Sequence, residues 1–160
     1  VRTILLVALT GVLNAPPATQ APIDVYDLAD YRLTAQVFEP FVRASGLIAD
    51  VIHRDPAFAD APLFTKEIAL SGDAPAAASA LATRLEGHPD LVAALQIAKL
   101  TPREYAKFAI ALLAAHLAHE FLNAGVLKRV PSGAPAENVK FVEQHRKEVS
   151  SVLDTLGIRD

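Results

Sequence analysis

Thr101-Pro102-Arg103-Glu104-Tyr105-Ala106-Lys107-Phe108-Ala109-Ile110-Ala111-Leu112-Leu113-Ala114-Ala115-His116-Leu117-Ala118-His119-Glu120-Phe121-Leu122-Asn123 is the stretch that decides the fold class. Thr101 followed by Glu104 is a capping box, in which a hydroxyl and a carboxylate satisfy amide groups that a helix start otherwise leaves without partners. Pro102 sits at the first helical position, where its fixed φ and missing N–H cost nothing. The helix so begun runs to about Asn123, where Gly125 supplies the usual glycine just past a helix end. Tyr105, Phe108, Ile110, Leu112, Leu113, Leu117, Phe121 and Leu122 fall on nearly every side of it. A helix that is apolar all round is buried, so this one is expected at the centre of the molecule. Ala111, Ala114, Ala115 and Ala118 form a thin sector against which another helix can approach closely.

Outward from this helix the pattern stays helical. Pro131-Ser132-Gly133-Ala134-Pro135 is a loop, after which one helix is predicted from Ala136 to Leu156, ending at Gly157. Val142, Val149, Val152, Leu153 and Leu156 face inward along it, while Lys140, Glu143, Lys147 and Glu148 face solvent. It is expected to pack antiparallel to the central helix because the connection is short. Upstream, Asp73 with Pro75 starts an Ala-rich helix over 76–85, and Gly87-His88-Pro89 stops it. Leu91 to Leu100 follows, with Leu91, Ala94, Leu95 and Ala98 along one side. Asp24 is read as the cap of a first helix in which Val25, Leu28, Tyr31, Leu33, Phe38 and Val42 recur. Pro40 should kink or interrupt that helix. A continuation to His53 buries Leu47, Ile48, Val51 and Ile52 and stops before Asp55-Pro56. Residues 55–72 read as loop with room for one short turn of helix. No strand alternation is seen past the N-terminal segment, and no internal repeat. The fold class is all-α, a single-domain bundle of roughly five or six helices.

The N-terminal segment is of a different kind. Arg2 precedes an apolar run of eleven residues, Thr3 to Leu13, followed by Asn14-Ala15-Pro16-Pro17. Crossing a bilayer takes about twenty residues, so the run matches the apolar part of an export signal better than a membrane span. Residues 1–21 are read as a signal peptide or a retained apolar anchor with a Pro-rich linker, and residues 22–160 as the helical domain. The ends available for cleavage, Ala15, Ala18 and Ala21, each have imperfect neighbours, so cleavage, anchoring and an ordinary buried element all stay open. The expected location is exported, either periplasmic or extracellular, with membrane contact only through residues 3–13 if they are kept.

Composition narrows the classes of function. The chain has 160 residues, 15 basic and 18 acidic, for a net charge of −3; without residues 1–21, which carry Arg2 and no acid, it is 14 − 18 = −4. The densest basic pairs, Lys128-Arg129 and Arg146-Lys147, are too few to neutralise many phosphates, so no nucleic-acid partner is expected. With no Cys, disulfides, a thiolate nucleophile, covalent attachment of a c-type haem and a lipoprotein anchor are all excluded.

The sharpest chemical constellation is His116, His119 and Glu120, which helical spacing brings to one side of the central helix. His145, between Val142 and Val149 on the last helix, would join them if the two helices pack together. A divalent metal or haem is the ligand such a group would take. However, there is no His-Glu-x-x-His and no Glu-x-x-His pair of the di-iron kind. Histidines that hydrogen-bond in or near the core are the simpler reading, and no cofactor is expected. Asp24, Asp27 and Asp30 suit a helix N-terminus, where the macrodipole favours negative charge. No serine lies in a Gly-x-Ser-x-Gly elbow and no Gly-rich loop has phosphate-binding spacing, so catalysis is not indicated. Tyr105, Phe108 and Leu112 are the residues that would line an apolar ligand pocket between helices; core packing produces the same spacing.

Leu100-Thr101-Pro102-Arg103-Glu104-Tyr105 and Ala136-Glu137-Asn138-Val139-Lys140-Phe141-Val142 carry a resemblance. Residues 85–156 look like a set of small, exported, uncharacterised helical proteins of GC-rich bacteria. The resemblance implies fold and compartment and carries no catalytic residue across. A few small exported helical proteins are accessory subunits on membrane complexes, photosynthetic reaction centres among them. The expectation is an exported helical interaction or structural module with a protein partner, such as a membrane complex. The alternative is a small-molecule or metal-binding bundle using His116, His119 and His145.

Overall fold

The computed structural model describes residues 28, 30–55, 58, 63–64, 73–131 and 134–158. Among these residues there are six α-helices and no strand: α1 (Ala35–Arg54), α2 (Ala74–Glu86), α3 (Pro89–Ile97), α4 (Pro102–Asn123), α5 (Ala136–Gln144) and α6 (Arg146–Thr155). The all-helical architecture agrees with the sequence pattern. The apolar run 3–13, the linker and the cap assigned to Asp24 lie outside the described residues.

The central helix forms where its cap predicts. Glu104 N–H donates to Thr101 Oγ1 at 3.2 Å and Thr101 N–H donates to Glu104 Oε2 at 2.9 Å, closing both halves of the box. Eleven residues between Tyr105 and His119 are buried, on all sides of the helix. Accordingly α4 packs against α1, α2, α3 and α5. The contact with α2 is the most extensive, and it joins two Ala-rich surfaces: Ala77, Ala78 and Ala82 are buried on α2, Ala111 and Ala115 on α4. Small side chains let two helix axes come close, as the alanine sector anticipates.

An aromatic seam ties α1 to α4 and α5. Phe41 lies 4.8 Å from Tyr105 and 4.7 Å from Phe108, and Phe38 lies 6.1 Å from Phe108 and 5.4 Å, edge-on, from Phe141. Each such pair contributes roughly 0.5–1.5 kcal/mol beyond the area it buries. One polar link crosses the seam. Ser45 donates to the Phe41 carbonyl at 2.9 Å, so the Tyr105 hydroxyl, 3.0 Å away, donates to Ser45 Oγ. No buried side-chain nitrogen or oxygen among the described residues lacks a partner.

Several boundaries differ from the sequence reading, each for a tertiary reason. The first helix does not run from Asp24 through Leu33: residues 31–34 are extended or irregular and α1 starts at Ala35 after Thr34. Asn138, buried on α5, takes the Leu33 N–H on Oδ1 at 2.9 Å and donates from Nδ2 to the Tyr31 carbonyl at 2.9 Å. A side-chain amide thus replaces the helical partners of this segment. Pro40 does not interrupt α1. It removes one backbone donor, while Phe38, Phe41, Ala44, Ser45, Ile48 and Ala49 bury a continuous stripe around it. Val42 is off that stripe and 40% exposed, not inward as expected.

The predicted helix over 91–100 spans Pro89–Ile97 and closes in a Schellman turn, Leu100 N–H on the Leu95 carbonyl and Lys99 N–H on the Gln96 carbonyl. The last helix is two helices, broken at His145 (φ −109°, ψ 24°). The break redirects the chain so that α5 packs on α4 while α6 packs on α1. Along α4, Ala118 meets Ala134 and Val139, and Phe141 joins the Phe108 group through Phe38. So α5 runs back along α4, as the short connection implies.

Candidate functional site

The histidines do not converge. His119 is buried, its Nδ1 3.2 Å from Glu120 Oε1; the carboxylate accepts, which assigns the proton to Nδ1. The Asn123 amide nitrogen lies 3.2 Å from Nε2 and 3.3 Å from Nδ1, beside the ring between the two nitrogens. Its polar neighbours, Glu120 and Asn123, both belong to the same helix. His116, one turn earlier, is half-buried. His145 stands in the seam, 4.4 Å from the Phe141 ring and 5.4 Å from Phe38. Among the described residues no group of three or more His, Asp and Glu side chains is placed to hold a metal ion.

Tyr105, Phe108 and Leu112 have no exposed surface. They are core, closed over by Phe41 and Phe38, and none of the clefts described below reaches them. Burial pushes the Tyr105 phenol well above the ordinary tyrosine range, with the Ser45 hydroxyl offsetting part of the rise.

Open space lies instead around α1. A cleft of about 710 Å³ is bounded by Arg43, Leu47, Asp50 and His53 on α1 and by Asp154 and Thr155 on α6. A second, about 480 Å³, continues it past Val42 and Gly46 toward Lys147 and Ser151. On the other side, about 500 Å³ separates Leu47, Asp50, Val51 and Arg54 from Asp90, Ala93 and Ile97 of α3. Gly46 and Thr155 border the first two clefts, and Leu47 and Asp50 border the first and third, so one face of α1 is open on both flanks.

This chain matches no family model, no curated protein and no solved structure. The α1 face therefore rests on its own chemistry. Its borders carry exposed apolar side chains, Val42 at 40% on α1 and Ile97 at 65% on α3, beside charges of both signs. His53 Nδ1 lies 2.7 Å from the Ala49 carbonyl, which can only accept, so Nδ1 carries the proton. Gly46 stands mid-helix with nothing within 4 Å of where a Cβ would be. Glycine inside a helix costs about 1 kcal/mol relative to Ala, and no packing among the described residues requires it. A glycine inside a helical run is the sequence signal that marks this face, and hydrophobic periodicity does not register it. Among the described residues no helix is long and apolar enough to cross a membrane.

Proposed function

We propose that the chain is a helical interaction module acting outside the cytosol, an accessory subunit beside a membrane complex, and that its protein partner sits on the outer face of α1. The observation that carries this reading is the contrast between core and surface. The aromatic interior is filled and its polar groups among the described residues are paired, whereas one face of α1 is flanked by three clefts that share lining residues, with exposed Val42 on α1 bordering one and exposed Ile97 on α3 bordering another. Exposed apolar side chains beside charged ones along a concave surface are what a protein interface leaves uncovered in the free subunit. The export-type segment at residues 1–21 supports the compartment, and the resemblance over 85–156 supports it further.

The test is native purification followed by mass spectrometry of co-eluting proteins, with Val42→Asp as the comparison. A stoichiometric partner that is lost with Val42→Asp is the expected result. A partner retained by the variant would move the interface elsewhere, and a chain that elutes alone under every condition would overturn the reading. Intact-mass measurement of the native N-terminus separates a soluble subunit from an anchored one.

A further inference from the structure

The loop that follows α4 has a character opposite to the rest of the surface. Val126 is 69% exposed and Phe121 44%, and Lys128 and Arg129 beside them are exposed. Neither cation has a side-chain partner among the described residues. From Tyr105 to Ala136 the only acid is Glu120, which is turned to His119. In a chain of net charge −3, this tip is both apolar and basic.

The cleft between α1 and α3 is its complement. Leu47, Val51, Ala93 and Ile97 supply apolar walls, and Asp50 and Asp90 line the cleft with one basic group, Arg54. Arg54 keeps its charge, but its Nε donates to the Asp50 carbonyl at 2.9 Å, which ties the side chain back along α1. Tip and cleft cannot meet within one molecule. Ile97 ends α3 one turn before α4 begins, while the tip follows the far end of α4, and its 22 residues span about 33 Å.

We propose that the chain associates with itself head to tail, the Val126–Arg129 tip of one copy seating in the α1–α3 cleft of the next. The inference rests on the reading of the α1 face as a docking surface and names a second copy as its occupant. Such a contact is heterologous: copies add to one another in a chain unless the rotation closes a ring. An anionic lipid surface is the competing occupant of the tip, but lipid-binding segments carry on the order of four to eight basic residues and the tip has Lys128 and Arg129 alone.

Sedimentation of the full chain over a wide concentration range tests this. At low salt the mean mass should rise with concentration. In about 1 M salt, where the screening length is about 3 Å, the association should weaken at least tenfold. Val126→Asp and Ile97→Asp change exposed residues and should each hold the chain as a monomer with unchanged helical circular dichroism. An equimolar mixture of these two variants keeps one working tip and one working cleft, so assembly should stop at the dimer. A wild-type monomer at all concentrations overturns the proposal, as does association that survives both substitutions. Binding of phosphatidylglycerol vesicles that Val126→Asp abolishes, without self-association, assigns the tip to a membrane and overturns it too. Loss of a native partner with Ile97→Asp in a monomeric protein would leave the α1 docking surface standing and remove only the second copy from it.

Discussion

Lys99 occupies a position that usually belongs to glycine. Its φ is +61°, at the left-handed residue of the Schellman turn that closes α3, where Gly125 and Gly157 (φ +71° and +73°) fill the same role after α4 and α6. A left-handed conformation costs an L-residue about 1–2 kcal/mol, and Lys99 is exposed, with no compensating burial. Lys99→Gly should therefore raise stability by about 0.5–1 kcal/mol after the entropy glycine adds to the unfolded chain is subtracted, measurable as a higher urea midpoint with unchanged slope. Tyr105 makes the second residue-level prediction. Up to about pH 10, the ordinary tyrosine value, its phenol is protonated in both folded and unfolded chains. Above that the unfolded chain loses the proton while burial keeps it on the folded one, so stability must fall as pH rises. Tyr105→Phe should flatten that alkaline decline, at a cost near neutrality of about 1 kcal/mol from the lost bond to Ser45. Thr101 and Glu104 were legible in the sequence because a capping box acts over four residues. Lys99 was not, since its conformation is imposed by the turn joining α3 to α4.

At the scale of the helix, Gly46 separates stability from function. A Cβ there meets nothing within 4 Å, so Gly46→Ala should stabilise α1 by about 1 kcal/mol, read by thermal denaturation. If a partner seats on the α1 face, the same methyl stands in its path and the variant should co-elute with less of it, even though it is more stable. The starts of α2 and α4 followed from Asp73, which accepts the Ala76 N–H at 3.0 Å, and from Thr101, because caps are local chemistry. The start of α1 and the break at His145 did not follow. Both depend on which neighbour each segment packs against, and periodicity records only that a face is buried. Phe121 shows the same limit: apolar spacing placed it in the core, but α5 and the preceding helices cover α4 only to about His119, and Phe121 is left 44% exposed.

Across the whole molecule, Asn138 joins the two ends of the described chain. It holds Tyr31 and Leu33 by their backbone groups, with the exposed Arg32–Glu137 pair at 3.7 Å adding little. Asn138→Ala would strand a buried donor and an acceptor, at a cost of about 2–3 kcal/mol. Hydrogen exchange at the Leu33 amide should quicken more than exchange in α4, because the segment would detach before the core unfolds.

The sequence alone determined that the chain is helical, where α2 and α4 begin, and that α4 is buried, because capping and hydrophobic periodicity act over a few neighbouring residues. Tertiary structure alone decided that residues 31–34 lie outside a helix, that the last helix divides, that His119 is buried, and that the open surface lies along α1. Those outcomes depend on groups far apart in the chain competing for the same hydrogen bonds and the same apolar cover.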